Sequence, residues 1–200
     1  MTELEQSLEE LYASDFGTRK RALKRLIALG DGAVAPLIAL ACSYKVVARK
    51  RAIEALGEIG DRRALWPLAG LDSELPIARL KALVAIVERL AVAPTRADAV
   101  WFVEILGKFR DDPNGEPIVL AAAQGALKLA QNDPCPELLP VLDLLGSFGP
   151  YALPPECIEI RRELASLLAR QQRPPRANLP RPADAPVQDA HDLPRPSSAD

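Results

Sequence analysis

The stretch RKRAIEALGEIGD, residues 49–61, decides the fold of this chain. Its apolar residues recur at three-to-four spacing and so share one stripe of an α-helix: Ala52, Ile53, Leu56 and Ile59. Gly60 follows the last of them, and glycine ends a helix readily because it adopts the left-handed conformation without strain. The stretch therefore predicts an amphipathic helix that buries one face.

The pattern repeats along the chain. RKRALKRLIALGD at residues 19–31 lies thirty residues upstream, and a weaker copy, ARLKALVAIVERL, lies thirty residues downstream. A fixed period of this length is typical of stacked supersecondary units. Short apolar segments with a proline near the start form a second set, at 33–42, 63–71 and 135–146. Proline is tolerated in a first helical turn, so each unit is predicted to be a pair of helices.

The later units are less regular. Residues 95–109 and 116–130 are predicted to form a longer pair, joined by a turn over 110–116, and residues 154–171 close the array. We predict five helix pairs in all, with residues 3–13 as an additional N-terminal helix.

Composition supports an all-α protein in two parts. Hydrophobic residues make up 48% of the chain and aromatic residues only 4%, and the abundant Ala and Leu are strong helix formers. Residues 1–171 are predicted to form one repeat domain, with its best-defined repeats at 17–90. Residues 172–200 are rich in proline and poor in apolar side chains, which predicts a disordered tail.

The motif R-x-x-A-φ-x-x-L-x-x-φ-G-D, with φ apolar, followed by A-x-x-P-L, resembles the HEAT-repeat superfamily. Repeats of about thirty residues are similar to its short phycobilisome-lyase type. The resemblance implies a right-handed α-solenoid of about five antiparallel helix pairs, an armadillo-like superhelix with its second helices on the concave face. It also implies a ladder in which Asp31 pairs with Arg49, and Asp61 with Arg79. Members of the superfamily include scaffolds, chromophore lyases and nucleic-acid-binding proteins, so the resemblance implies no single activity.

The charge is distributed unevenly. The net charge of −2 argues against a general affinity for nucleic acid or membranes. Residues 17–51, however, contain nine basic side chains and one acidic one, whereas residues 1–16 contain five acidic side chains. Arg21, Arg51 and Lys81 occupy equivalent positions in successive repeats. Stacked helices lie about 8–10 Å apart, so such a row could contact an acidic protein or phosphates.

A solvated helix face, with local pairs such as Lys50–Glu54, is the alternative interpretation of the same charges. If the row is a site, the candidate partner-binding residues are Arg21, Lys24, Lys50, Arg51 and Lys81.

The sequence offers no catalytic constellation. The single histidine, His191, lies in the predicted tail, and no glycine-rich phosphate loop or nucleophile elbow is present. We therefore expect no enzyme, no cofactor and no metal site. The leading hypothesis is a non-catalytic scaffold that binds another protein, one with an acidic surface, through its concave second-helix face. The alternatives are nucleic-acid binding through residues 19–51 and, from the resemblance alone, a bilin lyase-like accessory enzyme.

The remaining residues of interest have structural interpretations. Cys42, Cys135 and Cys157 are odd in number and form no C-x-x-C pair, so we expect buried, reduced thiols. Trp66 and Trp101 are expected to lie in the core. No secretory signal or apolar run of membrane-spanning length is evident, and we expect a cytoplasmic protein.

Overall fold

A computed structural model describes residues 2–71, 75–147 and 153–171. These residues contain ten α-helices and no strand. The helices are α1 (Glu3–Glu10), α2 (Phe16–Leu29), α3 (Asp31–Ala41), α4 (Val46–Ile59), α5 (Leu65–Ala69), α6 (Pro76–Leu90), α7 (Ala99–Phe109), α8 (Glu116–Asn132), α9 (Leu139–Gly146) and α10 (Pro155–Gln171). Single 3₁₀ turns lead into α5, α7 and α9. The all-α class is confirmed, and the predicted tail, residues 172–200, lies outside the described residues.

The helices are arranged as consecutive pairs. Each odd-numbered helix packs against the even-numbered helix that follows it. The second helices, α2, α4, α6, α8 and α10, also contact one another in order and form one continuous layer. In the other layer α3 contacts α5, and α7 contacts α9. This arrangement is a helical-repeat solenoid, and the prediction of about five antiparallel pairs is confirmed.

The N-terminal helix has a different place from the one predicted. It is the first helix of the first pair, because α1 packs on α2 and buries Leu11 completely. A capping box fixes its start: the Thr2 hydroxyl accepts a hydrogen bond from the backbone N–H of Glu5 at 3.2 Å, and the Glu5 carboxylate accepts one from the backbone N–H of Thr2 at 2.7 Å. The five pairs therefore include α1, and no additional helix precedes them in the described residues.

The second helices meet through small side chains. Ala48, Ala52 and Ala55 of α4 and Ala82 of α6 are buried in this layer. At Gly57 the two helices are so close that an added Cβ would lie 2.8 Å from the Cα of Ala82. Glycine at this position sets the approach of α4 to α6.

The end of α4 also requires glycine. Gly60 has a φ of +70°, in the left-handed region, and its backbone N–H donates to the Leu56 carbonyl at 2.9 Å. A Cβ on Gly60 would also displace the flexible Arg89 side chain of α6. The positive φ is therefore the reason that glycine is favoured here.

The cysteines lie in two environments. Cys135 and Cys157 are fully buried, as predicted, and burial raises the pKa of both thiols, that of Cys157 to about 11. Cys42 is exposed, so the prediction of a buried thiol was wrong. It follows the last residue of α3, the buried Ala41, at a position where the apolar stripe of the helix has run out.

We expect opposite effects on stability from adding a methyl group at two helical glycines. Gly57→Ala should lower the free energy of unfolding by about 1–3 kcal/mol, because α4 and α6 must move apart. Gly107→Ala should raise it by up to about 1 kcal/mol, since nothing lies within 4 Å of the added carbon and alanine favours the helix. Urea denaturation of the two variants measures both changes. Equal effects would contradict a close α4–α6 contact.

Thiol labelling should separate the three cysteines. In the folded protein at about pH 8, iodoacetamide should modify Cys42 alone, because the buried thiols are inaccessible and protonated. Intact mass spectrometry should then show one adduct in buffer and three in guanidinium chloride. The Cys42→Ser variant should take up no label while folded, and an adduct on that variant would contradict the burial of the other two.

Candidate functional site

A groove of about 520 Å³ opens between α4 and α6 on the surface of the second-helix layer. Its floor consists of the small residues Gly57, Ala78, Ala82 and Ala85. Because α4 and α6 approach closely at Gly57, the side chains beside the contact are short and leave the groove open. Ile77, which is 69% exposed, adds a large apolar side chain to one wall.

Charges of both signs line the groove. Lys50, Glu54 and Glu58 lie on α4, and Lys81 lies on α6. Gly57 is level with Ala82, and second helices of successive repeats run in the same direction. A rise of about 1.5 Å per residue then places Lys81 between the levels of Glu54 and Glu58, and Lys50 near the start of α6. Along the helix axes, Lys81 is therefore level with the glutamates, whereas Lys50 is level with Pro76 and Ile77 at the start of α6.

Of the five predicted partner-binding residues, the structure brings Lys50 and Lys81 into this groove. Arg21 and Lys24 are exposed on α2, outside the groove, and the Arg21 guanidinium donates to the Thr18 hydroxyl at 3.1 Å. All four side chains are accessible to a partner.

Arg51 has structural contacts. Its guanidinium pairs with Glu54 at 2.6 Å and lies 5.8 Å from the centre of the Phe16 ring on α2. The predicted Lys50–Glu54 pair is not formed, because Arg51, one helical turn from Glu54, occupies that carboxylate. Arg51 is therefore the least available of the five candidates.

Asp61 and Arg63 form an ion-pair cluster with Asp31. Asp61 caps the 3₁₀ turn at Arg62–Ala64 by accepting from the backbone N–H of Arg63 at 2.8 Å, and it also pairs with the Arg63 guanidinium at 2.8 Å. The same guanidinium also pairs with Asp31, 32 residues earlier. The predicted Asp61–Arg79 pair is therefore replaced, because Arg63 is in the same turn as Asp61 and binds it twice.

The arginines at the start of the second helices bind their own loops. Arg79 donates to the Leu71 carbonyl at 2.8 Å, and Arg19 donates to the carbonyls of Ala13 and Ser14 at 2.6 Å. In each case the guanidinium holds the segment that links the two helices of its pair. Arg49 is half-buried at the equivalent position of α4, and its pairing with Asp31 stays a prediction.

Two contacts between repeats that the motif did not predict come from basic residues in the C-terminal halves of second helices. The Arg89 guanidinium of α6 donates to the Ile59 carbonyl at the end of α4, at 3.2 Å. The Lys128 ammonium of α8 donates to the Val92 carbonyl just after α6. The last carbonyls of a helix lack helical partners and attract cations. The sequence feature that could have predicted these contacts is a basic residue near the end of each helix.

The two tryptophans join α5 to α7. Their rings stack with centroids 5.9 Å apart and planes 14° apart, and both are half-buried against the core. The Arg62 guanidinium lies 5.8 Å from the Trp101 centroid and pairs with Asp98 at 3.2 Å. This cluster fills the first-helix layer with large side chains.

No group of three His, Cys, Asp or Glu side chains in residues 2–71, 75–147 and 153–171 is placed to hold a metal ion. None of the helices in those ranges has both the length and the apolar character needed to cross a bilayer.

Comparison with known proteins finds similarity among solved structures only. No family model matches the chain, and no curated protein matches it. Among solved structures, a designed armadillo repeat protein is similar, with 20% sequence identity and a TM-score of 0.49 over 84% of this chain and 82% of that chain. The helical-repeat fold is established by the helix pairs described above. The finer HEAT assignment remains an expectation from the repeat motif.

The charge on Asp61 should contribute stability that depends on pH. The hydrogen bond from the Arg63 side chain lowers the pKa of Asp61 in the folded state. Its contribution is therefore present above the unfolded pKa of about 4 and is lost as the pH falls through the lower folded-state pKa. Asp61→Asn keeps a capping oxygen but removes the charge. It should lower the free energy of unfolding by about 0.2–1 kcal/mol at neutral pH.

Urea denaturation at several pH values between 7 and 3 measures this difference, which should shrink toward the acid end. Asp111→Asn is the control, because Asp111 pairs only with the adjacent Arg110 in the described residues and is largely exposed. A loss of stability in Asp61→Asn that does not change with pH would contradict an electrostatic contribution.

Proposed function

We propose that this chain is a non-catalytic helical-repeat scaffold that binds another protein through its second-helix face. The α4–α6 groove is the observation that carries the proposal. Solenoids present extended surfaces built from successive repeats, and a groove between two second helices is suited to a segment of a partner. A volume of about 520 Å³ is within the range of ligand-binding clefts.

The groove favours a partner with an apolar anchor and a nearby carboxylate. An apolar side chain on the floor of small residues would contact Ile77, and burying a side chain of the size of leucine or phenylalanine contributes about 1.5–3 kcal/mol. An exposed ion pair with Lys50 contributes about 0.2–1 kcal/mol. The apolar anchor therefore supplies most of the affinity, and Lys50 steers and orients the partner.

The mixed charges of the groove favour a protein over a nucleic acid. A phosphate backbone is attracted by an uninterrupted basic surface, whereas here Glu54 and Glu58 line the same groove as the lysines. The proposed contacts are Lys50 and Lys81 in the groove and, for a longer partner segment, Arg21 and Lys24 on α2.

Filling the groove should abolish partner binding. Peptides selected on the intact chain from a displayed peptide library should bind Ala85→Phe at least about tenfold more weakly, because the new ring occupies the floor. Lys50→Glu should weaken the same peptides several-fold and reduce their sensitivity to salt. Fluorescence anisotropy with labelled peptides measures both effects.

Ala165→Phe is the matched control, since Ala165 is exposed on α10, away from the groove. It should bind the peptides as the unaltered chain does, and thermal melts should show all variants folded. Failure to select any peptide, or selected peptides that bind Ala85→Phe undiminished, would refute the proposal. Saturable binding of a labelled single-stranded oligonucleotide that Lys50→Glu abolishes would favour the nucleic-acid alternative.

A further inference from the structure

Large apolar side chains are exposed where α2 and α4 begin. They lie in the last residues before each helix and in the first helical turn. We call them the α2–α4 edge: Tyr12 (45% exposed), Phe16 (57%), Tyr44 (86%), Val46 (48%) and Val47 (59%). Isolated exposed apolar residues are ordinary on a protein surface, but a contiguous group marks an interaction site.

Two cation–ring contacts link the α2 side of the edge to the α4 side. The Lys45 ammonium, just before α4, lies 4.2 Å from the centre of the Tyr12 ring in the loop between α1 and α2. The Arg51 guanidinium of α4 lies 5.8 Å from the centre of the Phe16 ring in the first turn of α2. Tyr44, Val46 and Val47 flank Lys45 in sequence, so the five exposed apolar side chains lie near one another at the start of the two helices.

The edge also carries positive charge that the protein does not neutralise. Lys20, Lys45 and Lys50 are exposed, and in the described residues none of them has a carboxylate within 4 Å.

Two of the carboxylates near the edge are paired within the protein, Glu54 with Arg51 at 2.6 Å and Glu10 with Arg25. Asp15 accepts the backbone N–H of Thr18 at 2.6 Å but has no ion pair and keeps its negative charge. The three lysines outnumber it, so the charge of the edge is positive, although the whole chain has a net charge of −2.

We propose that the α2–α4 edge docks on an anionic lipid bilayer, with its aromatic and aliphatic side chains in the interface and its lysines against the headgroups. Tyr44 is 86% exposed, so its ring is free to enter the interfacial region of a bilayer. Tyrosine suits the interfacial region. Stable attachment requires two signals, and the edge combines apolar area with basic charge.

A second copy of this chain does not suit the edge equally well. In a symmetric dimer the same patch meets itself, which would place Lys20 and Lys45 of each copy against those of the other. Such like-charge contacts oppose association. The proposal goes beyond the proposed scaffold function and does not depend on the α4–α6 groove.

Vesicle co-sedimentation tests the proposal with two compositions, phosphatidylcholine alone and phosphatidylcholine with about 30% phosphatidylserine. The full chain should bind the mixed vesicles, bind the neutral ones at least about tenfold more weakly, and be released by high salt. The double variant Tyr44→Ser with Val47→Ser should lose at least about tenfold in binding. The double variant Lys20→Glu with Lys45→Glu should bind the mixed vesicles more weakly by a similar factor, because its new carboxylates are repelled by the anionic headgroups.

Val92→Ser with Val100→Ser is the matched control, because these valines are 65% and 54% exposed outside the edge. This variant, and the groove variant Ala85→Phe, should bind vesicles as the unaltered chain does, so failure here is distinct from failure of the scaffold proposal. Thermal melts verify folding.

Three results would overturn the proposal: no binding to either vesicle, binding that both edge variants retain, or binding of soluble poly-glutamate by the edge with no binding to vesicles. The last result would assign the edge to an acidic protein.

Discussion

The close approach of α4 to α6 at Gly57 is the contact on which the rest of this structure depends. In a solenoid each repeat contacts only its neighbours, so stability and shape are determined interface by interface. Small residues meet at this contact, Gly57 on α4 and Ala82 on α6. The same absence of side-chain bulk creates the groove. The close packing of α4 on α6 and the groove beside it therefore have the same cause, the small residues at this contact.

The two layers are packed with side chains of different size. Trp66 and Trp101 stack between α5 and α7, whereas Gly57 and Ala82 meet between α4 and α6. When the helices of one layer lie closer together than those of the other layer, the stack curves and the closer layer is on its concave side. The side-chain sizes therefore favour the concave position that the repeat motif implies for the second helices, and a partner that follows this face would contact several repeats at once.

The order and type of the helices could be predicted from the sequence because they depend on local patterns. A period of thirty residues, apolar stripes and terminal glycines determine where helices begin and end. The ion pairs could not be predicted, because each carboxylate had several candidates within reach. Glu54 binds Arg51 and not Lys50, and Asp61 binds Arg63 and not Arg79. The choice depends on rotamers and on which charge is nearer in three dimensions. Exposure of Cys42 was missed for a related reason, since the end of α3 falls one residue before it.

In the basic segment at residues 17–51, arginines and lysines have different roles. Its arginines largely serve the fold: Arg19 holds a loop, Arg25 binds Glu10 and Arg51 binds Glu54. The planar guanidinium has several donors in fixed directions and suits carbonyl and carboxylate groups within a structure. The lysines, with a single hydrated charge on a flexible stem, are left at the surface. Most of the arginine charges in this segment are therefore used in contacts within the fold. The lysines, and the apolar side chains beside them, are the part of this surface that is left for a partner.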